Sequence, residues 1–331
     1  MVRKLVQMHR RAVLIGAGGT LAASGLPTFA QGFPDRPVKL VVPFAPGGTT
    51  DLISRIVASS IGPHFNGQTM IVENKAGAGG AIGATETARA KPDGYSLGTA
   101  TVSTIATVPA IQPSTAYNPL TDFTPIINIA ATPNVVCVHP SFPAKDFAGF
   151  LAELKKNPDK YTAGSSGTGG IAHLLIEIFM SVSGTKITHV PFRGSGPALN
   201  DAIGGQISMI FDNLPSSLPF IKSGKLIPIV VGSPNRVPGL PDVPTFAEVG
   251  LPAVNRVAFY GIYGPKDMPR DLVDKVNAAV KKTLADPTVK LRIEETGSAV
   301  VGNTPEEFAA EIKAEFDAYK KIVVERGLKP E

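Results

Sequence analysis

The sequence predicts an α/β protein of two lobes, each a mainly parallel sheet flanked by helices, with the chain crossing between the lobes twice. Three observations predict it. Strand and helix signals alternate through the chain, the pattern of βαβ units and parallel sheets. The alternation breaks near residue 134, among prolines at 125, 133 and 140, and then restarts. Each of the two runs contains a strand that enters a helix through a glycine-rich loop, at Pro43–Thr49 and at Gly164–Gly170. A chain of 331 residues is long enough for two cores.

The first 30 residues stand apart. They hold Arg3, Lys4, Arg10 and Arg11 and no acidic residue, followed by an apolar run from Ala12 to Leu26 and small residues up to Ala30. This is the pattern of a cleavable secretory signal, with cleavage expected after Ala30. Arg10-Arg11 also suits twin-arginine export, so both the Sec and the twin-arginine route stay open. This stretch carries +4 of the formal net charge of +5, which leaves +1 for the rest and excludes a basic surface for nucleic acid. No later stretch reaches the ~20 apolar residues of a membrane span. Cys137 is the single cysteine, so no internal disulfide is expected.

The mature chain opens with Val38–Val42, an apolar strand, then Pro43-Phe44-Ala45-Pro46-Gly47-Gly48, then Leu52, Ile53, Ile56, Val57 and Ile61 at helical spacing. Thr69–Val72 reads as a strand, Ala81–Ala90 as a helix, and Tyr95–Ala100 as a third strand after a Pro92-Asp93-Gly94 turn. Apolar runs at Ile126–Ile129 and Val135–Val138 lead into the second lobe. There, Asp146–Lys156 is helical and Tyr161–Ala163 a strand, and Ile171, Leu174, Leu175, Ile178 and Phe179 mark a helix. Strand Ile187–Val190, helix Pro197–Ile203 and strands Ile207–Phe211 and Leu226–Val231 follow. Pro234–Pro252 is proline-rich loop, after which strand Val257–Tyr263 and helix Arg270–Ala285 return to the first lobe. The last helix opens on a capping box, Thr304-Pro305-Glu306-Glu307, ends before Gly327, and carries Phe308, Ile312, Phe316 and Tyr319 on one face. The expected division is 1–30 leader, 31–133 with 255–331 as lobe 1, and 134–254 as lobe 2.

The two glycine-rich loops carry the chemistry. A helix start presents unpaired N–H groups and the positive end of the helix dipole, and glycine lets a ligand approach the backbone. In open α/β sheets ligands sit beyond the carboxyl ends of the strands, so the two loops should face each other across a cleft. The expected guest is a small carboxylate. Candidate contacts are Phe44, Ala45, Gly47, Gly48 and Thr49 from the first loop and Ser103 after the third strand. Ser165, Ser166, Gly167, Thr168 and His173 come from the second loop and its helix, where a structural role for His173 stays open. Arg193 is a candidate partner for a second carboxylate, and Asp212 an acceptor for a ligand amine or hydroxyl. Asp51 reads as a residue of the first helical turn that orders its loop.

Other motifs are weaker. Gly77-Ala78-Gly79-Gly80 lacks the third glycine of a dinucleotide fingerprint, no phosphate-loop lysine motif occurs, and there is no G-x-S-x-G elbow. The five histidines show no metal-ligand spacing, so neither a metal nor a cofactor is expected.

Together these residues resemble the Bug receptor family, the periplasmic substrate-binding proteins of tripartite tricarboxylate transporters. The resemblance rests on Val41–Asp51, Val72-Glu73-Asn74-Lys75, Lys91–Tyr95, Gly164–Leu174, Val190–Gly194, Gly204-Gly205-Gln206 with Phe211-Asp212, and Pro241–Thr245, in order along the mature chain. It implies a Venus-flytrap fold and a monomeric, non-enzymatic solute-binding receptor. Such a receptor grips a carboxylate (a di- or tricarboxylate, an amino acid or an aromatic acid) through the loops at Phe44–Thr49 and Ser165–Thr168, partly through water. Integral-membrane transporter subunits would be its partners and the periplasm its location. A receptor that feeds a signalling system is the alternative, and an exported hydrolase a more distant one. Phe192 stands where tyrosine is common in the family, and Ser166 where proline is common.

Overall fold

The structure, a computed structural model, describes residues 32–328, so the leader expected at residues 1–30 lies outside the described residues. The first half builds strand β1 (Val38–Val42), helix α1 (Thr49–Ser60), β2 (Met70–Asn74), α2 (Ala81–Ala88), β3 (Ser96–Thr101) and a short α3 (Val108–Ile111). β1 pairs in parallel with β2 on one side and with β3 on the other. Val38, Leu40, Val41 and Val42 are fully buried, as the sequence of a strand covered on both faces requires.

The chain then runs into β4 (Phe123–Val138), a single strand of 16 residues. The two apolar runs read from the sequence are thus one element, and the prolines between them do not break it. Proline lacks the N–H a sheet ladder uses, and strands accommodate it at irregularities. The pairing of β4 shifts register between Pro125 and Ile127. Up to Pro133 its partner is β9 (Val257–Pro265), and from Asn134 onward its partners are β7 (Met209–Asn213) and β8 (Ile227–Gly232), all antiparallel.

The second half contains α4 (Phe147–Lys156), β5 (Thr162–Ser165), α5 (Ile171–Ser183), β6 (Thr188–Pro191), α6 (Ser195–Ile203), β7, α7 (Leu214–Lys222) and β8. β5 pairs in parallel with β6 and β7. Each half-sheet therefore has a parallel core of three strands, β2-β1-β3 and β6-β5-β7, with the crossing strands added antiparallel. β9 brings the chain back, followed by α8 (Arg270–Ala285), α9 (Pro287–Glu294), β10 (Ala299–Val300), which pairs with β4, and α10 (Pro305–Arg326).

Two helices carry no clear sequence signal. α7 reads Leu-Pro-Ser-Ser-Leu-Pro-Phe-Ile-Lys, and Pro219 inside it masks the helical pattern; the helix survives because it is held by packing. α9 begins with Pro287 and is capped by Asp286, whose carboxylate accepts from the Thr288 N–H at 2.8 Å. α10 has the opposite character, since every signal agrees. Thr304 and Glu307 form a reciprocal capping box, and Gly327 closes the helix in the left-handed region at φ 59°. Its buried face, Phe308, Ile312, Tyr319 and Val323, lies on the first half.

Phe308 meets Phe259 edge-on, with centroids 5.4 Å apart, and covers Gly261 of β9, where an added Cβ would overlap its ring and lie 2.5 Å from the Ile127 carbonyl oxygen. Phe308→Ala should lower stability by about 3–5 kcal/mol through the cavity it leaves. Gly261→Ala should cost about 1–3 kcal/mol through overpacking. Denaturant titration of each variant reads both. A Gly261→Ala midpoint equal to wild type would show that α10 does not press on β9.

Candidate ligand-binding cleft

The elements around the cleft are set by where the strands end. β1, β3, β5, β6 and β7 each run into a loop or helix at the seam between the halves. Four helices begin there, each without a capping side chain of its own. α1 starts after Gly48, α5 after Gly170, α6 after Gly194 and α7 after Asn213. Their first turns enclose a cavity of about 20 Å³, room for about one water. Gly48 and Thr50 of the α1 start, Ile171 of α5, Ser195 of α6 and Asn213 at the α7 start all line it. The β3 end adds Thr101, Val102 and Ser103, and β9 adds Ala258, Phe259 and Tyr260. Phe44 and Ser166 complete the wall, and no charged side chain is part of it.

Both halves meet directly around this cavity. The Ala45 N–H donates to the Arg193 carbonyl at 3.0 Å. The Ile171 N–H, first in α5, donates to Ser103 Oγ at 3.1 Å. Thr49 Oγ1 lies 2.8 Å from Ser216 Oγ, and the Tyr260 hydroxyl donates to Asn213 Oδ1 at 2.7 Å. Glycine is required at the seam. At Gly79 (φ 60°) a Cβ would stand 2.5 Å from the Thr168 carbonyl oxygen, and at Gly196 it would overlap the Pro46 carbonyl oxygen.

Among the residues the sequence singled out, Phe44, Gly48, Ser103 and Ser166 line the cavity. Ala45 is bound to Arg193 across the seam, and Gly47 donates its N–H to Asp51 at 3.2 Å. Thr49 is 1% exposed and turned to Ser216 and Asn213 rather than to the cavity. Ser165, Gly167, Thr168, His173, Arg193 and Asp212 are not in the wall. Arg193 contributes its carbonyl, and its side chain is exposed.

Ser165 and His173 form the floor of the second loop. Ser165 Oγ lies 2.7 Å from His189 Nε2 and accepts the Gly167 N–H at 3.2 Å. A serine and a histidine at that distance have the spacing of a nucleophile and its base. Here the serine is fully buried and outside the cavity, so the pair orders the loop instead. The Gly169 N–H donates to His173 Nδ1 at 3.0 Å, which fixes that nitrogen as unprotonated. The His173 and His189 rings stack with centroids 4.1 Å apart.

The two acids near the cleft are saturated. Asp212 accepts from Ser195 Oγ at 2.5 Å, Ser216 Oγ at 2.7 Å and Ser217 Oγ at 2.8 Å. Burial pushes its carboxyl above the ordinary value, against the pull of those hydroxyls and the Asn213 N–H. It thereby holds Ser195 in the cavity wall and Ser216 at the seam. Asp51 is desolvated too, but the bonds from Arg55, Asn74 and Gly47 outweigh burial and hold its carboxyl below the ordinary range. Asn74 Nδ2 donates both to Asp51 at 2.9 Å and to the Phe44 carbonyl at 2.9 Å, so this carboxylate sets the shape of the first loop.

Sequence reasoning did not single out the rest of the wall, among them Thr50, Thr101, Ser195, Asn213, Phe259 and Tyr260. Ser195 and Asn213 each adjoin or nearly adjoin a residue it had singled out. Phe259 and Tyr260 sit in a strand more than 150 residues further along than the first loop, and nothing local marks them. A larger groove, about 860 Å³, lies elsewhere between Leu218, Val237, Lys281 and Val300, and none of the four helix starts reaches it.

The sequence model described as "Tripartite tricarboxylate transporter family receptor" matches residues 53–328 of the chain. Three solved structures are similar over nearly their whole length. The periplasmic binding protein BugD is 34% identical, with a TM-score of 0.87, covering 90% of this chain and 100% of its own. Rpa4515 of R. palustris, solved with adipate, is 33% identical with a TM-score of 0.86, covering 90% of this chain and 99% of its own. MatC of Rhodopseudomonas palustris, solved with bound malate, is 32% identical with a TM-score of 0.85, covering 88% and 100%. Two α/β halves closing on a cavity of helix starts, matched over most of the chain by a receptor family, place this protein in the tripartite tricarboxylate transporter receptor family, among the Bug-type solute-binding proteins.

Proposed function

We propose that the protein is a periplasmic solute-binding receptor that captures a small carboxylate between two lobes and delivers it to the membrane subunits of a tripartite tricarboxylate-type transporter. The observation that carries this reading is the convergence of four helix N-termini on one cavity without a charged side chain in its wall. Each start carries a fractional positive charge, and the first-turn N–H groups not already bound across the seam add donors, together suited to an anion. The hydroxyls of Thr50, Ser103 and Ser166 add neutral donors, Ser195 and Tyr260 give theirs to Asp212 and Asn213, and Phe44, Val102, Ile171 and Phe259 supply apolar walls for a carbon chain. The carboxylates bound by Rpa4515 and MatC fit the same chemistry.

A cavity of about 20 Å³ does not admit such an acid unless the halves part and the walls give. We assign lobe 1 to residues 31–133 with 255–331 and lobe 2 to 134–254. The hinge lies in β4 at Pro133–Asn134 and at the entry to β9, where the strand partners change. Delivery from the periplasm requires export, which the leader read at residues 1–30 would supply.

A thermal-shift screen of mono-, di- and tricarboxylates, amino acids and aromatic acids should raise the unfolding midpoint for a subset of carboxylates, by mass action. No shift with any acid would remove the carboxylate reading. Gly196→Ala separates binding from folding. Gly196 is a helical residue of α6, so alanine suits its own half, but its Cβ meets Pro46 across the seam. The variant should keep or slightly raise the ligand-free midpoint and lose about tenfold or more in affinity, read by calorimetric titration. Unchanged affinity would show that the halves do not need to close for the acid to bind.

A further inference from the structure

Asn213 stands at the N-cap of α7, with Pro215 in the first turn, a residue type and pattern that ordinarily caps its own helix. Its side chain is spent elsewhere. Nδ2 donates to Asn134 Oδ1 at 2.7 Å in β4, and Oδ1 accepts the Tyr260 hydroxyl at 2.7 Å. The Ser216 N–H, third in α7, is left without a cap from its own half. It donates instead to Thr49 Oγ1 at 3.2 Å, from the first residue of α1 in the other half. The same Oγ1 is 2.8 Å from Ser216 Oγ and 3.4 Å from the Asn213 carbonyl oxygen. At α5 the N-cap is Gly170, which has no side chain to offer, and the Ile171 N–H donates to Ser103 Oγ, again from the other half.

We propose that Thr49 and Ser103 are closure latches: hydroxyls of one half that cap helices α7 and α5 of the other, and so hold the closed form around a bound ligand. The inference rests on the closing-cleft reading above and not on which acid is bound. Each buried N–H is satisfied by a partner that departs when the halves separate. Opening then requires both helix starts to find water or, at α7, to recapture the Asn213 side chain from Asn134 and Tyr260. Because the apparent affinity of a closing receptor scales with the population of its binding-competent form, the latches tune retention without touching the ligand at Thr49. Thr49 is the cleaner case. Its Oγ1 faces α7, whereas Ser103 is also in the cavity wall.

The test uses the mature chain with one exposed cysteine introduced in each half and labelled for single-molecule energy transfer; the native Cys137 is fully buried. Thr49→Val removes the hydroxyl at nearly constant shape, and Thr49→Ser retains it. The closed fraction is measured without ligand and with malate and with adipate, alongside dissociation rates. Thr49→Val should lower the closed-to-open ratio about tenfold and speed dissociation by a similar factor, with association little changed, and Thr49→Ser should resemble wild type. A Thr49→Val closed fraction equal to wild type would overturn the proposal. So would a Thr49→Ser variant that behaves as valine does, or a wild type that never closes in any condition. If neither acid binds but the ligand-free closed fraction still falls in Thr49→Val, the latch stands, malate and adipate are excluded as ligands, and the carboxylate reading is decided by the thermal-shift screen.

Discussion

The constraint on which this structure turns is the unfinished hydrogen bonding of helix starts. An α-helix leaves its first N–H groups without partners, and a buried one must be satisfied from outside the helix. A capping side chain is one answer, used by α4 with Asp146, α9 with Asp286 and α10 with Thr304. The helices at the seam do not use it. Three of them begin after glycine, and the fourth begins after an asparagine committed to other partners. Two of their donors, the Ile171 and Ser216 N–H groups, bond to the opposite half, and this deficiency is what the proposed closure and anion capture both draw on.

That arrangement explains why no charged side chain lines the cavity. A lysine or arginine there would bring a large desolvation penalty of its own and would need a counter-charge in the closed, ligand-free form. Backbone dipoles carry no net charge and are already oriented by the fold, so they can wait without a partner ion at smaller cost. The acids nearest the cavity are kept from opposing an anion in a related way. Asp51 is tied to Arg55 and Asn74, and Asp212 is surrounded by three serine hydroxyls. Each shapes a loop or a helix start and presents little free negative charge to the site.

β4 is the mechanical counterpart of this chemistry. A continuous strand runs through both half-sheets and connects the halves, and its ladder partners change between Pro133 and Asn134, where the hinge is proposed. Asn134 also links the proposed hinge to the cleft, since its Oδ1 accepts from Asn213 and its Nδ2 donates to the Arg256 carbonyl at 2.7 Å. The proposed hinge, the N-cap residue of α7 and the cavity wall therefore share one run of side-chain contacts, Asn134–Asn213–Tyr260.

Local pattern by itself determined the α/β alternation, the capping box of α10 and the two glycine-rich loops, because each rests on residues close together in sequence. It also pointed to Phe44, Gly48, Ser103 and Ser166, which the folded chain brings to one cavity. Tertiary structure alone decided the rest. Pro125 and Pro133 look like breaks until two sheets share the strand that contains them, and α7 looks irregular until packing holds it. His173 is drawn under the second loop by Gly169, and Thr49 is turned away from the cavity by Ser216. Tyr260 enters the site because β9 crosses back beside β3. A side chain's partner depends on which distant segment arrives beside it, and that is a property of the closed halves together, not of any window of sequence.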